Sequence, residues 1–296
     1  MSGAEAGVEV TLEAVIVAVT DDRPRILTID SPDGLLLPSG PLDVDGDRSL
    51  DLGMRRLIDE QTGLDAEYVE QLYTFGDRSR ARARDSRESR SLGVGYLVLT
   101  REASTTARWI DWYHLFPWED RRAETHDESV RTRIATWSSQ STERARRAQI
   151  AFGLGETPWD AVRALDRYEL LYEARLVPEW YIDHDQPVGA VVDGQPMGRD
   201  HRRVAATALS RLRGKLTYRP IVFDLLPETF TLSHLQRTVE ALAGQRQHTQ
   251  NFRRLVEREG LVEGTGEQAT TGGRPAELFR FRTGVLTERP RTGFKA

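Results

Sequence analysis

The chain's 296 residues are enough for about two domains of ordinary size, each with its own core. It has no cysteine, which excludes disulfides and thiolate-held zinc. Its six histidines show no metal-ligand spacing such as HxxxH, and no apolar run reaches membrane-span length. The net charge of −5 conceals an asymmetry: from residue 201 onward 17 Lys and Arg face 9 Asp and Glu, whereas residues 1–200 carry 24 against 37. That is the pattern of one nucleic-acid-facing domain joined to an acidic one.

No charged-then-apolar leader opens the chain, so a soluble cytoplasmic protein with no membrane partner is expected. Residues 8–20 form a β-rich run, and 25–30 a second short strand after a DDRP turn. LLLPSG (35–40) leads into an acidic loop. The segment SLDLGMRRLIDEQTGL reads as one helix with Leu50, Met54, Leu57 and Ile58 on one face, Asp47 or Ser49 as its cap, and Gly63 as its end. Strands follow at 68–75 and 92–100, separated by GDRSRARARDSRESRS, which is too polar to be anything but an exposed loop. The middle, about 105–155, holds the aromatic string WIDWYHLFPWEDRR and two charged helical stretches. An amphipathic helix over about 159–176 has Val162, Leu165, Leu171 and Tyr172 on its apolar side. The Pro- and Gly-bearing stretch 178–200, with VGAVVDG, reads as a linker with a short strand or hairpin. These signals divide the chain into residues 1–183 (with a helical insert at about 105–155), a linker at 184–200, and a third part, 201–296, that a helix over 201–213 begins.

The basic part ends in two helices. Thr231 or Ser233 caps the first, which carries Leu232, Leu235, Val239 and Leu242 and closes at Gly244. The second, about 248–259, buries Phe252, Leu255 and Val256, and this turns Gln250 and Arg254 outward, flanked by Gln247, Arg253 and Arg258. Gln and Arg pair bidentately with adenine and guanine edges in a major groove. A strand at Leu261 and Val262, a turn through Gly272, Gly273, Arg274 and Pro275, and a returning strand at 277–282 complete the pattern of a wing. Double-stranded DNA is therefore the expected partner. Gln247, Gln250, Arg253 and Arg254 are the expected contacts, and Asn251 serves either as a cap or as a phosphate contact. Arg274 is either a groove or phosphate contact or merely a turn residue; Lys215 and Arg219 are further phosphate candidates.

In the N-terminal part, LPSG-PLDVDGDRSLDLGMRRLIDEQTGL resembles a Nudix box, G-x5-E-x7-R-E-U-x-E-E-x-G-U with U a bulky aliphatic. Anchored on Gly63 and Leu64, the chain supplies Arg56, Ile58 and Glu60, but has Arg48, Leu57 and Gln61 where the box places glutamates. Nudix hydrolysis needs several carboxylates on one helix to hold Mg²⁺ against a diphosphate. The expectation is the diphosphate-binding fold without efficient hydrolysis: no catalytic residue and no metal site. The alternative is a working hydrolase of a nucleoside diphosphate-linked substrate with an accessory DNA-binding domain, using Asp43, Asp45, Asp47 or Asp59.

Taken with EQLYTFGD (70–77), DRYELLYEARLV (166–177) and the ending FTLSHLQ…NFRR…GRPAELFRF, the chain resembles the Nudix-related transcriptional regulators of NAD metabolism, the NrtR/NadQ-like regulators. The resemblance implies an α/β (α+β) Nudix-like mixed-sheet domain followed by a C-terminal winged helix-turn-helix domain. It implies a repressor, usually a homodimer, that binds double-stranded operator DNA at genes of NAD synthesis or salvage. ADP-ribose or an NAD-like adenine nucleotide would be the effector, with no cofactor required. Candidate ligand contacts are Arg56, Glu60, Phe75 and Arg78. Arg56 and Glu60, at i and i+4, form either an intrahelical ion pair or a ligand contact. Phe75 either stacks an adenine or sits in the core, and the Arg-rich loop of Arg78 either closes over phosphates, contacts DNA or stays in solvent. The cluster Trp109, Trp112, Tyr113, Phe116 and Trp118 is read as packing between domains or subunits, or else as a nucleotide cage.

Overall fold

The computed structural model describes residues 8–76, 90–123, 128–269, 275–285 and 293–294. Seven strands, β1 (Val8–Thr20), β2 (Arg23–Ser31), β3 (Gly34–Leu36), β4 (Ser39–Pro41), β5 (Tyr68–Phe75), β6 (Arg90–Leu99) and β7 (Arg108–Asp111), form one mixed sheet. Its order is β3-β2-β1-β6-β5, with β4 on β1 and β7 on β2; β1 and β6 run parallel and the other pairs antiparallel. Side chains alternate across it. Leu12, Ala14 and Ile16 of β1, with Val94, Tyr96 and Val98 of β6, fill one face; Val15, Val17, Leu97 and Leu99 fill the other. Burial on both faces explains why β1 reads as a nearly continuous apolar run.

Helix α1 (Leu50–Thr62) covers the first face with Met54, Leu57 and Ile58, each burial worth about 1.5–3 kcal/mol. Ser49 caps it by accepting the Leu52 N–H, and Gly63 ends it in the left-handed region at φ +67. The second face carries the rest of the chain. In order come α2 (Trp112–Leu115), α3 (Glu128–Ser138), α4 (Thr142–Phe152), α5 (Ala164–Glu173), α6 (Pro178–Asp183) and α7 (His201–Leu216). A helix-turn-helix of α8 (Leu232–Ala243) and α9 (Thr249–Glu259) and a hairpin of β8 (Val262–Ala269) and β9 (Ala276–Phe281) complete the described elements. Helix α7 lies across the second face, against α5, β1, β5 and β6, and its end reaches α8.

Two elements differ from expectation. The helix expected over 159–176 starts only at Ala164, after a 3-10 turn (Ala161–Arg163) in which Asp160 accepts the Val162 N–H at 3.0 Å. Val162 consequently stays 39% exposed, and the buried face is built by Ala164, Arg167, Tyr168, Leu170 and Leu171. In the stretch 178–200 the structure has the short helix α6 and no strand. Irregular backbone is nonetheless tied down there: Val192 donates to Leu176, Gln195 to His114 and Gly198 to Leu35, at 2.8 to 2.9 Å. The loop expected at 76–91 lies mostly outside the described residues.

In the aromatic string Trp112, Phe116 and Trp118 are buried, Phe116 meeting Tyr168 of α5 edge-on and Arg202 of α7 lying over Phe116 and Trp118, whereas Trp109 lies against the α1 face. The 3-10 turn Pro117–Glu119 beside it carries a buried carboxylate. Glu119 receives Arg167 at 2.5 and 2.8 Å and also pairs with Arg213; all three side chains are essentially inaccessible. Burial pushes the Glu119 carboxyl up, but the two guanidinium charges outweigh it and hold it below the usual carboxylate range. Glu119→Gln leaves two buried cations facing a neutral amide. Its expected cost is about 3–5 kcal/mol of unfolding free energy, read by urea denaturation; a loss under about 1 kcal/mol contradicts the electrostatic account.

Candidate functional site

The helix-turn-helix is assembled by local chemistry. Thr231 caps α8 by accepting the His234 N–H at 3.1 Å, and Gly244 ends it at φ +69. Leu235, Val239 and Leu242 face Phe252 and Val256 of α9 in the core. The turn between the helices is clasped by two buried polar residues of α8. Glu240 accepts the Gln247 N–H at 3.0 Å and Arg246 at 3.0 Å; Gln236 donates to Glu240 and to the Gln247 carbonyl, both at 2.9 Å. Their spacing of four, beside an apolar stripe, is the signal that sequence reading passed over. Phe230 pairs with Phe279 through two backbone bonds, 2.9 and 2.8 Å, which seats β8 and β9 beside the helices. Phe294 also returns to this unit, its N–H donating to Leu216 at 2.6 Å and its ring stacked on Phe252 at 5.7 Å.

This frame presents α9 to solvent. Gln250, Asn251, Arg253 and Arg254 are exposed, and Gln247 is half-buried. Gln247, Asn251 and Arg254 line a cleft of about 470 Å³ together with Arg246 and Arg258, while Gln250 and Arg253 stand outside it. Asn251 does not cap the helix: the N-cap position is His248, which makes no side-chain capping bond. Arg274 lies outside the described residues. Lys215 is held on β5 instead of standing free, donating to the Tyr68 hydroxyl at 2.9 Å and pairing with Glu70, with 17% of its side chain exposed. Arg219 is exposed.

On the other side of the sheet, α1 holds the box-like residues. Arg56 pairs with Glu60 at 3.0 Å, as the spacing implies, but its other nitrogens grip Asp47 at 2.9 and 2.8 Å. Asp43 accepts the Asp45 and Gly46 N–H groups at 3.1 and 3.0 Å, so the acidic loop satisfies itself. Gln61 accepts the Ser39 N–H at 3.1 Å and donates to the Ser39 carbonyl at 2.9 Å. A carboxylate cannot make the second bond. Leu57 is buried in the core. Among the described residues no group of three His, Asp or Glu could hold a metal ion, and these donors do not fit one. Phe75 is not brought to Arg56 and Glu60. A bulge between Gln71 and Thr74 switches the strand's alternation, so Phe75 packs over Gly95 and faces α7 on the opposite side of the sheet. Arg78 lies outside the described residues.

A helix-turn-helix with a β-hairpin wing, joined to a mixed sheet backed by α1, defines a winged-helix protein with an α/β sheet domain. Residues 222–281 match the family model of the NrtR DNA-binding winged helix domain, so this part of the chain is a DNA-binding winged helix of the NrtR type. The ADPR responsive transcriptional repressor NtrR of Acinetobacter baylyi is 37% identical over 82 residues, 28% of this chain; the match spans 33% of that relative's length. The crystal structure of Shewanella oneidensis NrtR complexed with a 27mer DNA superposes with a TM-score of 0.56 at 22% identity, covering 95% of this chain and 96% of that one. A MutT/nudix family protein from Enterococcus faecalis gives 0.54 at 16% identity, over 95% and 89% of the two chains. The chain therefore shares the overall fold of these two structures, and its residues 222–281 are similar to the NrtR winged helix. No described helix is long and apolar enough to cross a membrane.

The Arg56 hydrogen bonds pull the Asp47 carboxyl down to about 2, against the opposing effect of burial. Because the folded value is depressed, Asp47 stabilises the fold fully above its ordinary pKa, near about 4, and loses that contribution as pH falls toward 2. Asp47→Asn is therefore expected to lower Tm at pH 7, with the gap to the parent closing between pH 4 and pH 2. A gap that stays constant over that window, in thermal melts followed by circular dichroism, would assign the loss to something other than the Arg56 pair.

Proposed function

We propose that the protein is a transcriptional repressor of genes of NAD synthesis or salvage. ADP-ribose or a related adenine nucleotide, held by the Nudix-like domain without being hydrolysed, would control it. The observation that carries this reading is the exposed face of α9, with Gln250, Arg253 and Arg254 presented by a winged helix of the NrtR type. The A. baylyi relative, named as an ADPR responsive repressor, supports the effector, and the S. oneidensis protein crystallised with DNA supports the partner. Gln247, Gln250, Asn251, Arg253, Arg254 and Arg274 are the proposed DNA contacts. Lys215, already engaged by Glu70, makes a weaker candidate.

The non-hydrolytic reading rests on Leu57 and Gln61, one a core residue and one a backbone clasp where the box needs carboxylates. Arg56, Glu60 and Arg78 remain the proposed ligand contacts. Because α7 is built into the second face of the sheet, the DNA-binding unit is proposed to begin after it. Two subunits would place their α9 helixes on half-sites about one helical turn apart, and the nucleotide would favour one arrangement of the pair.

The test is a gel shift on promoter fragments of NAD-biosynthesis genes at fixed salt, with and without ADP-ribose, NAD and ATP, each nucleotide assayed afterwards for cleavage. A specific shift altered by intact nucleotide is expected. Consumption of the nucleotide with Mg²⁺ and no specific shift would make the protein a hydrolase. Arg254→Ala is expected to cost about 1–3 kcal/mol of operator affinity while leaving nucleotide affinity unchanged. Loss of both together would point to misfolding.

A further inference from the structure

Helix α8 does not end within its own domain. Its last carbonyls are taken by donors of the sheet domain: Ala241 accepts the Tyr113 hydroxyl at 2.6 Å, Leu242 accepts Arg213 Nε at 3.1 Å, and Gly244 accepts the Arg121 N–H at 2.7 Å. The carbonyl end of a helix carries partial negative charge, and a buried guanidinium complements it. The approach is close. A Cβ on Gly244 would lie 2.9 Å from the Tyr113 hydroxyl oxygen and inside contact distance of the Glu119 carbonyl. The joint therefore has no slack, and the turn clasped by Gln236 and Glu240 starts directly after it.

The other end of the same chain segment is tied to α1. The Thr105 hydroxyl donates to the Thr62 carbonyl at 2.6 Å, and the Thr106 hydroxyl to the Gln61 carbonyl at 3.4 Å. From there the chain runs through β7, hydrogen-bonded to β2, to Asp111, which caps α2 by accepting the Tyr113 N–H at 2.9 Å. Residues 105–113 thus form a strap whose ends grip the C-termini of two helices on opposite faces of one sheet. One is the box-like helix and the other leads into α9.

We propose that this strap positions the helix-turn-helix according to the state of α1, with Tyr113 as the positioning residue at the α8 end and Thr105 at the α1 end. On the reading of the protein as a nucleotide-controlled repressor, the strap is the route by which the Nudix-like domain alters operator affinity. Neither residue touches α9, so neither is a DNA contact. Displacement of the C-terminus of α1 shifts the start of β7; strand pairing to β2 restricts that shift to the strand's own direction, and Tyr113 carries it to Ala241.

The test uses the full chain with Thr105→Val and Tyr113→Phe, each of which removes one hydroxyl while nearly conserving shape. Hydrogen exchange of the unliganded proteins is read first. Thr105→Val is expected to raise exchange in residues 241–249 at least threefold while leaving β8 and β9 unchanged, although Thr105 does not contact α8. Unchanged exchange in 241–249 would overturn the strap irrespective of any ligand. ADP-ribose is then titrated by calorimetry and against a fluorescent operator fragment by anisotropy. Both variants are expected to keep ADP-ribose affinity within twofold of the parent, yet to lose at least two-thirds of the logarithm of its effect on DNA affinity. A full effect in Tyr113→Phe would overturn the proposal. A parent protein indifferent to ADP-ribose would remove the effector reading and leave the exchange result to decide the strap.

Discussion

The junction between the sheet domain and α8 depends on how one buried carboxylate, Glu119, is kept charged. It faces two guanidinium groups, Arg167 and Arg213, so the buried cluster carries one excess positive charge. Leaving that charge uncompensated would cost several kcal/mol. The compensation comes from backbone. Arg167 donates to the carbonyls of Ala151 and Asp160, both at 2.9 Å, and Arg213 to those of Ala161 and Leu242, both at 3.1 Å. Ala151 lies in the last turn of α4 and Leu242 in the last turn of α8, so two helix C-termini converge on the pair with their negative ends. The electrostatics of the sheet domain are complete only when α8 is docked, which joins DNA-binding and sheet domains more firmly than apolar contact alone.

That joint was invisible in the sequence, and the reason is physical. Periodicity reports which face of an element is buried and nothing about what it meets. β1 and β5 were legible in extent because runs of β-branched and aromatic residues bounded by polar or turn residues are local signals. α8 and α9 were legible because their stripes and glycine ends are local features. Arg213 read as one more arginine in a basic half, although its four partners lie in segments remote in the chain. Phe75 shows the converse failure. Simple alternation from Val69 sends it toward α1, and a single extra residue between Gln71 and Thr74 reverses it. A bulge leaves little trace in a strand's composition, so the face of every residue beyond it is unreadable without the partner strand.

The box-like helix was legible in outline and not in detail. Its apolar face, cap and glycine end follow from local rules, and its departures from the box pattern at Arg48, Leu57 and Gln61 are plain in the sequence. What Gln61 and Arg56 bond to could not be read in advance. Gln61 makes an amide-specific pair of bonds to Ser39, fastening the helix to β4 where a glutamate would repel the carbonyl. Arg56 ties Asp47 to the helix, and so fixes the loop before it. These bonds hold the helix to its own surroundings. Two polar residues of α1, Arg56 and Gln61, thus have partners within the fold itself.

On the proposed reading of the protein as a nucleotide sensor, a helix bonded tightly to its surroundings has a physical use. A ligand shifts an equilibrium only by the difference in its affinity for two arrangements. A soft site would absorb the ligand's contacts by local adjustment, leaving little difference for a distant helix to respond to. Here the helix is clasped to β4 by Gln61, to the acidic loop by Arg56, and to the segment before β7 by the hydroxyls of Thr105 and Thr106. Its displacement is therefore shared with its neighbours. Of these neighbours, the segment before β7 is continuous with the residue that grips α8.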